Sequence, residues 1–205
     1  MRYFVEACCP SLDSVTHAVE AGANRIELCE RLEVGGVTPS EELIRAALQA
    51  AGSIPVNVLI RPREGNFVYS EAEVGQMLQS IGLCKKLGVN GVVIGALTPA
   101  GAVDKATTAR LISSARPLSI TFHRAIDEAA DIFAALEDII ALGADRILSS
   151  GGSPTAYEGR FVLRDLIARA AGRITIMPGC GVRPGIIDEI ASVTGAAEFH
   201  GSSLL

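Results

Sequence analysis

The chain has 205 residues, of which 49% are hydrophobic, and its formal net charge is −5. A negative balance without a basic run argues against a nucleic-acid partner, and no stretch of the sequence approaches the length and apolarity of a membrane span. The five cysteines are scattered and odd in number, unlike a secreted disulfide framework, so we expect a cytoplasmic protein.

One phrase occurs four times along the chain: a small residue, Gly, a small residue, a polar residue and then a strand-like run. The copies span residues 21–29, 87–95, 142–150 and 194–202. In each copy the Gly follows a stretch with helical spacing, as expected of a helix C-cap before the next strand. The four copies predict the even-numbered strands of a repeated β/α unit.

Four further strand-like runs lie between these copies, at residues 4–8, 55–60, 119–124 and 174–179. Helix signals fill the intervals. Residues 38–41 and 70–73 read as capping boxes, the first with Pro39 at the first helical position, and Asp104 and Asp131 read as N-caps. Apolar stripes at helical spacing behind these signals are expected in the core (Val74, Met77, Leu78 and Ile81; Ile132, Leu136, Ile139 and Ile140).

Eight strands alternating with helices predict a parallel (β/α)8 barrel, the TIM barrel, as a single domain over residues 1–205. The eighth strand is predicted to end near Ser202 and the sequence stops at Leu205, so we expect the eighth helix to be absent from this chain. The uncovered flank would expose Val5, Ala7 and Phe199. Such a patch predicts either a homo-oligomer that buries it or a longer native chain that covers it.

Strand parity predicts which side chains enter the barrel, because alternate residues face opposite ways. Ile26 and Leu28 should face the helices, which points Glu27 and Cys29 inward. The same parity places polar groups inside at the C-terminal end of the barrel, where such folds build their sites. These inward groups are Glu6, Cys8, Asn57, Arg61, Thr121, His123, His200 and Ser202. Closure should bring His200 near Glu6 and Ser202 near Cys8.

Metal binding is the first chemistry that these groups suggest. Cys8 and Cys29 share a side and a level on adjacent strands, and soft thiolates suit Cu(I) or Zn(II), with His200 or His123 as a further ligand. No CxxC or HxxxH spacing supports the pair, and the alternative is that both are small buried apolar residues. Cys9 should point away, and Cys84 should lie in a helix.

Anion binding is the second chemistry. Glycine-rich turns at residues 178–182 and 201–203 follow the seventh and eighth strands, where these barrels commonly bind phosphate through backbone N–H groups. Arg183 could add charge, and residues 149–152 could add donors. The candidate anion-binding residues are Gly179, Gly181, Arg183, Gly201 and Ser202. The alternative is that these glycines serve tight turns alone.

A mixed-charge cleft would also suit catalysis. Arg61, Arg63, Arg124 and Asp127 could join the inward carboxylates, with His123 as a general acid or base oriented by a carboxylate. The candidate catalytic residues are Glu6, Glu27, Arg61, His123 and His200. The alternative is a buried ion network that closes the top of the barrel.

Several segments resemble the CutC copper homeostasis family, in order along nearly the whole chain. They are Gly35-Gly-Val-Thr-Pro-Ser40, Ile60-Arg-Pro-Arg63, Phe67-Val-Tyr-Ser70, Ile120-Thr-Phe-His-Arg-Ala-Ile-Asp127, Arg146-Ile-Leu-Ser-Ser-Gly151 and Glu198-Phe-His200. The resemblance implies a cytoplasmic (β/α)8 barrel, usually oligomeric, that binds or handles copper. It also implies that Cys8 and Cys29 are the copper pair. The chain departs from the family pattern at residues 64–66, Ile126 and Cys180.

The first functional hypothesis is therefore a copper homeostasis protein that binds Cu(I) through the inward cysteines. The second is a lyase, isomerase or hydrolase acting on a small anionic or phosphorylated substrate at the C-terminal face of the barrel. A structural or scaffold role comes third. The expected partner is accordingly a copper ion or a small anionic ligand.

Overall fold

Eight short strands form the centre of the computed structural model, which describes residues 3–202. The strands are β1 (Phe4–Cys9), β2 (Arg25–Leu28), β3 (Val56–Leu59), β4 (Gly91–Ile94), β5 (Ser119–Phe122), β6 (Arg146–Ser149), β7 (Thr175–Pro178) and β8 (Glu198–Gly201). Each lies within or close to a run predicted from the sequence. All eight are almost fully buried, as expected of strands covered by helices on one face and by a filled barrel on the other.

Within residues 3–202 one α-helix follows each of the first seven strands, and none follows β8. The helices are α1 (Leu12–Glu20), α2 (Glu41–Ala51), α3 (Glu71–Leu87), α4 (Lys105–Ala115), α5 (Ile132–Leu142), α6 (Arg160–Ala170) and α7 (Pro184–Thr194). None of these described helices has the length and apolarity that a bilayer crossing requires. The end of the sequence at Leu205, on which the prediction about an eighth helix turned, lies outside the described residues.

The strands are joined by parallel ladders in the order β7-β6-β5-β4-β3-β2-β1-β8. The register pairs Glu6 with His200 across β1 and β8, and Cys8 with Glu27 across β1 and β2. The two ends of the sheet also meet, because a Cβ atom on Gly179 after β7 would lie 3.2 Å from Nδ1 of His200 on β8. The predicted TIM barrel is therefore confirmed.

The helix signals were mostly confirmed. The repeated Gly lies at or just after the helix end in all four copies, with φ of +82° at Gly22 and +73° at Gly195. Such left-handed backbone favours glycine. The Ser70–Glu73 capping box forms, and Asp104 and Asp131 accept backbone N–H groups as N-caps.

The capping box predicted at residues 38–41 was wrong. Ser40, not Thr38, is the N-cap of α2, and its hydroxyl accepts the N–H of Leu43. The Thr38 hydroxyl instead accepts the backbone N–H of Arg61 at 2.7 Å. Thr38 therefore bonds to the backbone just after β3 instead of capping α2.

The expected exposed flank beside β8 and β1 was also wrong. Val5, Ala7 and Phe199 are 3%, 6% and 0% exposed. The Tyr3 ring packs edge-on against Phe199 with centroids 5.1 Å apart, and all three residues belong to the apolar core that includes Ile190 of α7. The neighbouring helices and Tyr3 therefore cover the apolar side chains that were expected to recruit a partner.

Candidate functional site

A cavity of about 460 Å³ opens at the C-terminal end of the barrel. This volume lies within the range of small-molecule sites and is much larger than one metal ion needs. Most of the predicted site residues line it: Cys8, Glu27, Cys29, Arg61, His123, Gly181, His200, Gly201 and Ser202. Strand parity therefore identified the inner surface of the site.

Three predicted residues do not line this cavity. Glu6 is fully buried one layer below it. Gly179 donates its N–H to the Ser149 carbonyl at 2.9 Å, and a Cβ atom there would lie 2.3 Å from Leu148, so close packing explains this glycine. Arg183 is exposed at the start of α7. Ser203, part of the second predicted turn, lies outside the described residues.

The hydrogen-bond donors of the turn at residues 149–152 already bind a carboxylate of the protein itself, that of Asp127. The Asp127 carboxylate accepts the Ser149 hydroxyl at 2.6 Å, the Ser150 N–H at 3.0 Å and the Gly152 N–H at 3.0 Å. Arg124 Nε donates to the same carboxylate at 3.0 Å. These donors, expected to serve an external anion, are therefore occupied.

The two inward cysteines meet at one wall of the cavity. Their Sγ atoms lie 3.9 Å apart, both side chains are buried, and neither forms a disulfide. The hydrogen bond with Cys29, together with burial, raises the pKa of the Cys8 thiol well above its usual value. Cys9 points to the other side of β1, as predicted, where its thiol lies 3.5 Å from the Ser14 carbonyl.

A histidine and a carboxylate lie beside the thiols. His200 Nε2 contacts the Glu27 carboxylate, and one ligand atom each from Cys8, Glu27 and His200 lie within 4.8 Å of one another. Burial lowers the pKa of His200, but the Glu27 carboxylate outweighs burial, so the net shift is upward. Of the two histidines considered as a further metal ligand, the structure brings His200 to the Cys8 thiol.

The floor of the site is a buried ionic network. Glu6 accepts from Arg25 Nε and from Asn57 Nδ2, the latter at 3.3 Å. Arg25 also donates to Glu198 at 2.8 Å, and Arg146 donates to the same carboxylate at 2.9 Å. The ion network predicted from the sequence was to close the top of the barrel; the one observed here shares only Glu6 with it and lies beneath the cavity.

Sequence reasoning missed three members of this network: Arg25, Arg146 and Glu198. Each is the first residue of an even-numbered strand. Extending the inward parity back by two positions from Glu27 and His200 would have found Arg25 and Glu198.

Arg61 and His123 form another wall of the cavity. Arg61 donates to the carbonyl oxygens of Gly36 at 2.8 Å and Gly65 at 2.7 Å, and it lies 5.0 Å above the Phe67 ring. His123 Nδ1 accepts the Ala125 N–H at 3.1 Å. Burial, with Arg61 adding to it, lowers the pKa of His123 to about 3. At neutral pH its ring is therefore uncharged and carries its proton on Nε2.

Comparison with known proteins gives a consistent result. The family model of the CutC family matches residues 3–205. A family protein CutC of Parabacteroides distasonis is 49% identical over 203 residues, which cover 99% of this chain and 84% of that protein. A family protein CutC of Xylella fastidiosa is 48% identical over 199 residues, which cover 97% of this chain and 74% of that protein. A crystal structure named as the copper homeostasis protein CutC of Streptococcus agalactiae superposes with a TM-score of 0.94 at 33% identity, covering 99% of this chain and all of that one.

Proposed function

The chain belongs to the CutC family, and we propose that it serves copper homeostasis by binding Cu(I) through Cys8 and Cys29. The observation that carries this proposal is the 3.9 Å separation of the two Sγ atoms at the wall of the cavity. Family membership supports the link to copper, since the similar Streptococcus agalactiae protein is named for copper homeostasis.

The chemistry of the two sulfurs fits a soft metal ion. Metal–thiolate bonds of about 2.3 Å allow one ion to bridge sulfurs 3.9 Å apart without movement of the strands. Thiolates are soft ligands that suit Cu(I) and Zn(II), and membership of the CutC family favours copper of the two. Because the metal-free Cys8 thiol is protonated, binding releases its proton, and copper affinity should rise with pH.

His200 is the further ligand that the geometry favours, since it lies in the same group as Cys8. Its Nε2 contacts Glu27, so Nε2 can reach a metal only by giving up this contact. A carboxylate oxygen is a hard ligand that suits Cu(I) poorly. We therefore assign Glu27 the role of holding His200 in the metal-free protein, and the two thiols the role of primary ligands.

The cytoplasm is the compartment that suits this proposal. All five cysteines are free thiols, and a Cu(I) dithiolate site requires that they stay reduced. Homo-oligomerisation stays a prediction that rests on the family resemblance, because the apolar flank that first suggested it is covered. Light scattering would test it directly.

The alternative of an enzyme that binds its anion at the glycine-rich turns is not favoured. Asp127 occupies the donors of residues 149–152, and Arg183 lies outside the lining of the cavity. The two sequence relatives described above both carry the CutC name.

Replacing both thiols should abolish the proposed site. We expect the Cys8→Ser, Cys29→Ser double variant to lose Cu(I) affinity by more than about 100-fold, because hard hydroxyls replace both soft ligands. The measurement is a titration of reduced protein against a competing Cu(I) chelator.

The matched control is Cys180→Ser. Cys180 also lines the cavity, but its thiol lies 3.1 Å from the Pro154 carbonyl, a hydrogen bond that a serine hydroxyl can keep. This variant should bind Cu(I) as the unaltered protein does. Equal affinity of the double variant and the unaltered protein would make the Cys8–Cys29 pair structural.

A further inference from the structure

Arg61 is a buried cation without an anionic partner. Its side chain belongs to a residue only 6% exposed, and its terminal nitrogens donate to the neutral carbonyl oxygens of Val34, Gly36 and Gly65. No carboxylate among residues 3–202 lies within 4.0 Å of its nitrogens, although the other buried arginine, Arg25, and the partly buried Arg146 both have one. Buried charges are normally paired, so this charge is uncompensated.

Two N–H donors on this wall of the cavity also lack acceptors. Arg61 Nε and His123 Nε2 are both buried and have no hydrogen-bond partner in the described part of the chain; the Tyr69 hydroxyl, close enough to Arg61 for the charge to act on it, is unpartnered as well. His123 Nε2 carries a proton, because Nδ1 accepts the Ala125 N–H. Leaving a buried donor unpaired is costly, and both Arg61 and His123 line the cavity, so these two residues suit a ligand that accepts hydrogen bonds.

The remaining charges of the cavity define the charge of that ligand. Glu27 is paired with His200, Asp127 is paired with Arg124, and Glu128 is exposed at the rim. Among the buried groups of the lining one positive charge, that of Arg61, is therefore left without a counter-charge, because the carboxylate of Glu128 is exposed to solvent. A single carboxylate matches it better than a doubly charged phosphate. Apolar side chains supply much of the rest of the lining: Leu32, Val34, Leu59, Phe67 and Leu148.

We propose that the cavity binds a small organic acid, with its carboxylate held by Arg61 and His123 and its carbon body packed among Leu59, Phe67 and Leu148. Guanidinium and carboxylate groups form strong charge-assisted hydrogen bonds. The volume of about 460 Å³ accommodates such a molecule. This ligand site uses side chains other than the copper thiols, so it stands independently of the copper proposal.

A comparison of acids with their amides tests the charge requirement on unaltered, metal-free protein. The probes are butyrate, hexanoate and benzoate against butyramide, hexanamide and benzamide, measured by saturation-transfer NMR and calorimetric titration. We expect at least one acid to bind at least tenfold more tightly than its amide, since a hydrogen bond to a charged group discriminates by roughly this factor. Equal affinities, or no binding of any acid at about 10 mM, would overturn the proposal.

Two variants then locate the carboxylate. Arg61→Lys keeps the charge but loses the Nε donor and the planar fork, and His123→Phe removes the Nε2 donor at similar ring size. Each should weaken binding of the best acid by about tenfold. Arg63→Lys is the matched control, because Arg63 pairs with Glu73 at 2.5 Å and does not line the cavity.

Undiminished acid binding by Arg61→Lys and His123→Phe would overturn the assignment to this wall. The Cys8→Ser, Cys29→Ser variant should bind the acid normally even though it loses copper. Loss of acid binding in that variant, with retention in Arg61→Lys, would place the acid on the thiol wall and equally contradict the proposal.

Discussion

Replacing Arg25 with Met is expected to lower the free energy of unfolding by about 3–5 kcal/mol. Arg25 holds Glu6, which is fully buried, through its Nε, and it holds Glu198 at 2.8 Å. Among residues 3–202, its loss leaves the Glu6 carboxylate with only Asn57 at 3.3 Å as a partner. An uncompensated charge in a barrel interior is among the costliest single defects a domain can carry.

The second substitution Glu6→Gln, added to Arg25→Met, should restore part of this loss, because it removes the stranded charge. Urea unfolding monitored by circular dichroism measures the free energy of unfolding of the unaltered protein, of Arg25→Met and of the double variant. The exposed pair Arg45–Glu41 on α2 provides the control, and Arg45→Met should change stability by less than about 1 kcal/mol. An Arg25→Met protein as stable as Arg45→Met would show that the network does not support the floor of the site.

Acidification is expected to destabilise the protein through His123. Burial lowers the pKa of His123 from 6.5 to about 3 in the folded state. At a pH between these two pKa values the unfolded chain binds a proton at this ring and the folded protein does not. Stability is therefore undiminished by this group above about pH 6.5 and falls as the pH drops towards 3, by roughly 1 kcal/mol per pH unit.

The His123→Phe variant isolates this effect, because it removes the titrating group. Its stability should fall less steeply between pH 6 and pH 4 than that of the unaltered protein, by a slope corresponding to about one proton. His17→Gln, at the exposed histidine of α1, serves as the control for losing a histidine. Parallel stability curves for the unaltered and His123→Phe proteins would contradict the buried, neutral state of this ring.

The fold could be predicted because local signals repeat. In each copy of the repeat the helix ends in left-handed backbone, which favours glycine, so a single residue of the sequence indicates where the helix ends. The alternation of side chains along each strand adds to this, since it predicts from the sequence that Cys8, Cys29 and His200 lie on the inner face. The register of β1 and β2 sets Cys8 opposite Glu27, two residues before Cys29, and the two sulfurs lie 3.9 Å apart.

Other features depend on contacts between distant segments and left no local signal. Thr38 reads as a helix cap but bonds the backbone of Arg61 instead. The donors of residues 149–152 read as an open anion-binding turn, yet Asp127 reaches them from the short 3-10 helix that follows β5. In each case a side chain from elsewhere in the fold satisfies groups that the sequence alone leaves free.

Binding of copper to the two inward thiols can be observed at the metal itself. X-ray absorption at the copper edge of the reduced, Cu(I)-loaded protein identifies the atoms bound to the metal. We expect a coordination shell containing a pair of sulfur ligands, which disappears in the Cys8→Ser, Cys29→Ser variant. A shell of nitrogen and oxygen alone in the unaltered protein would contradict it.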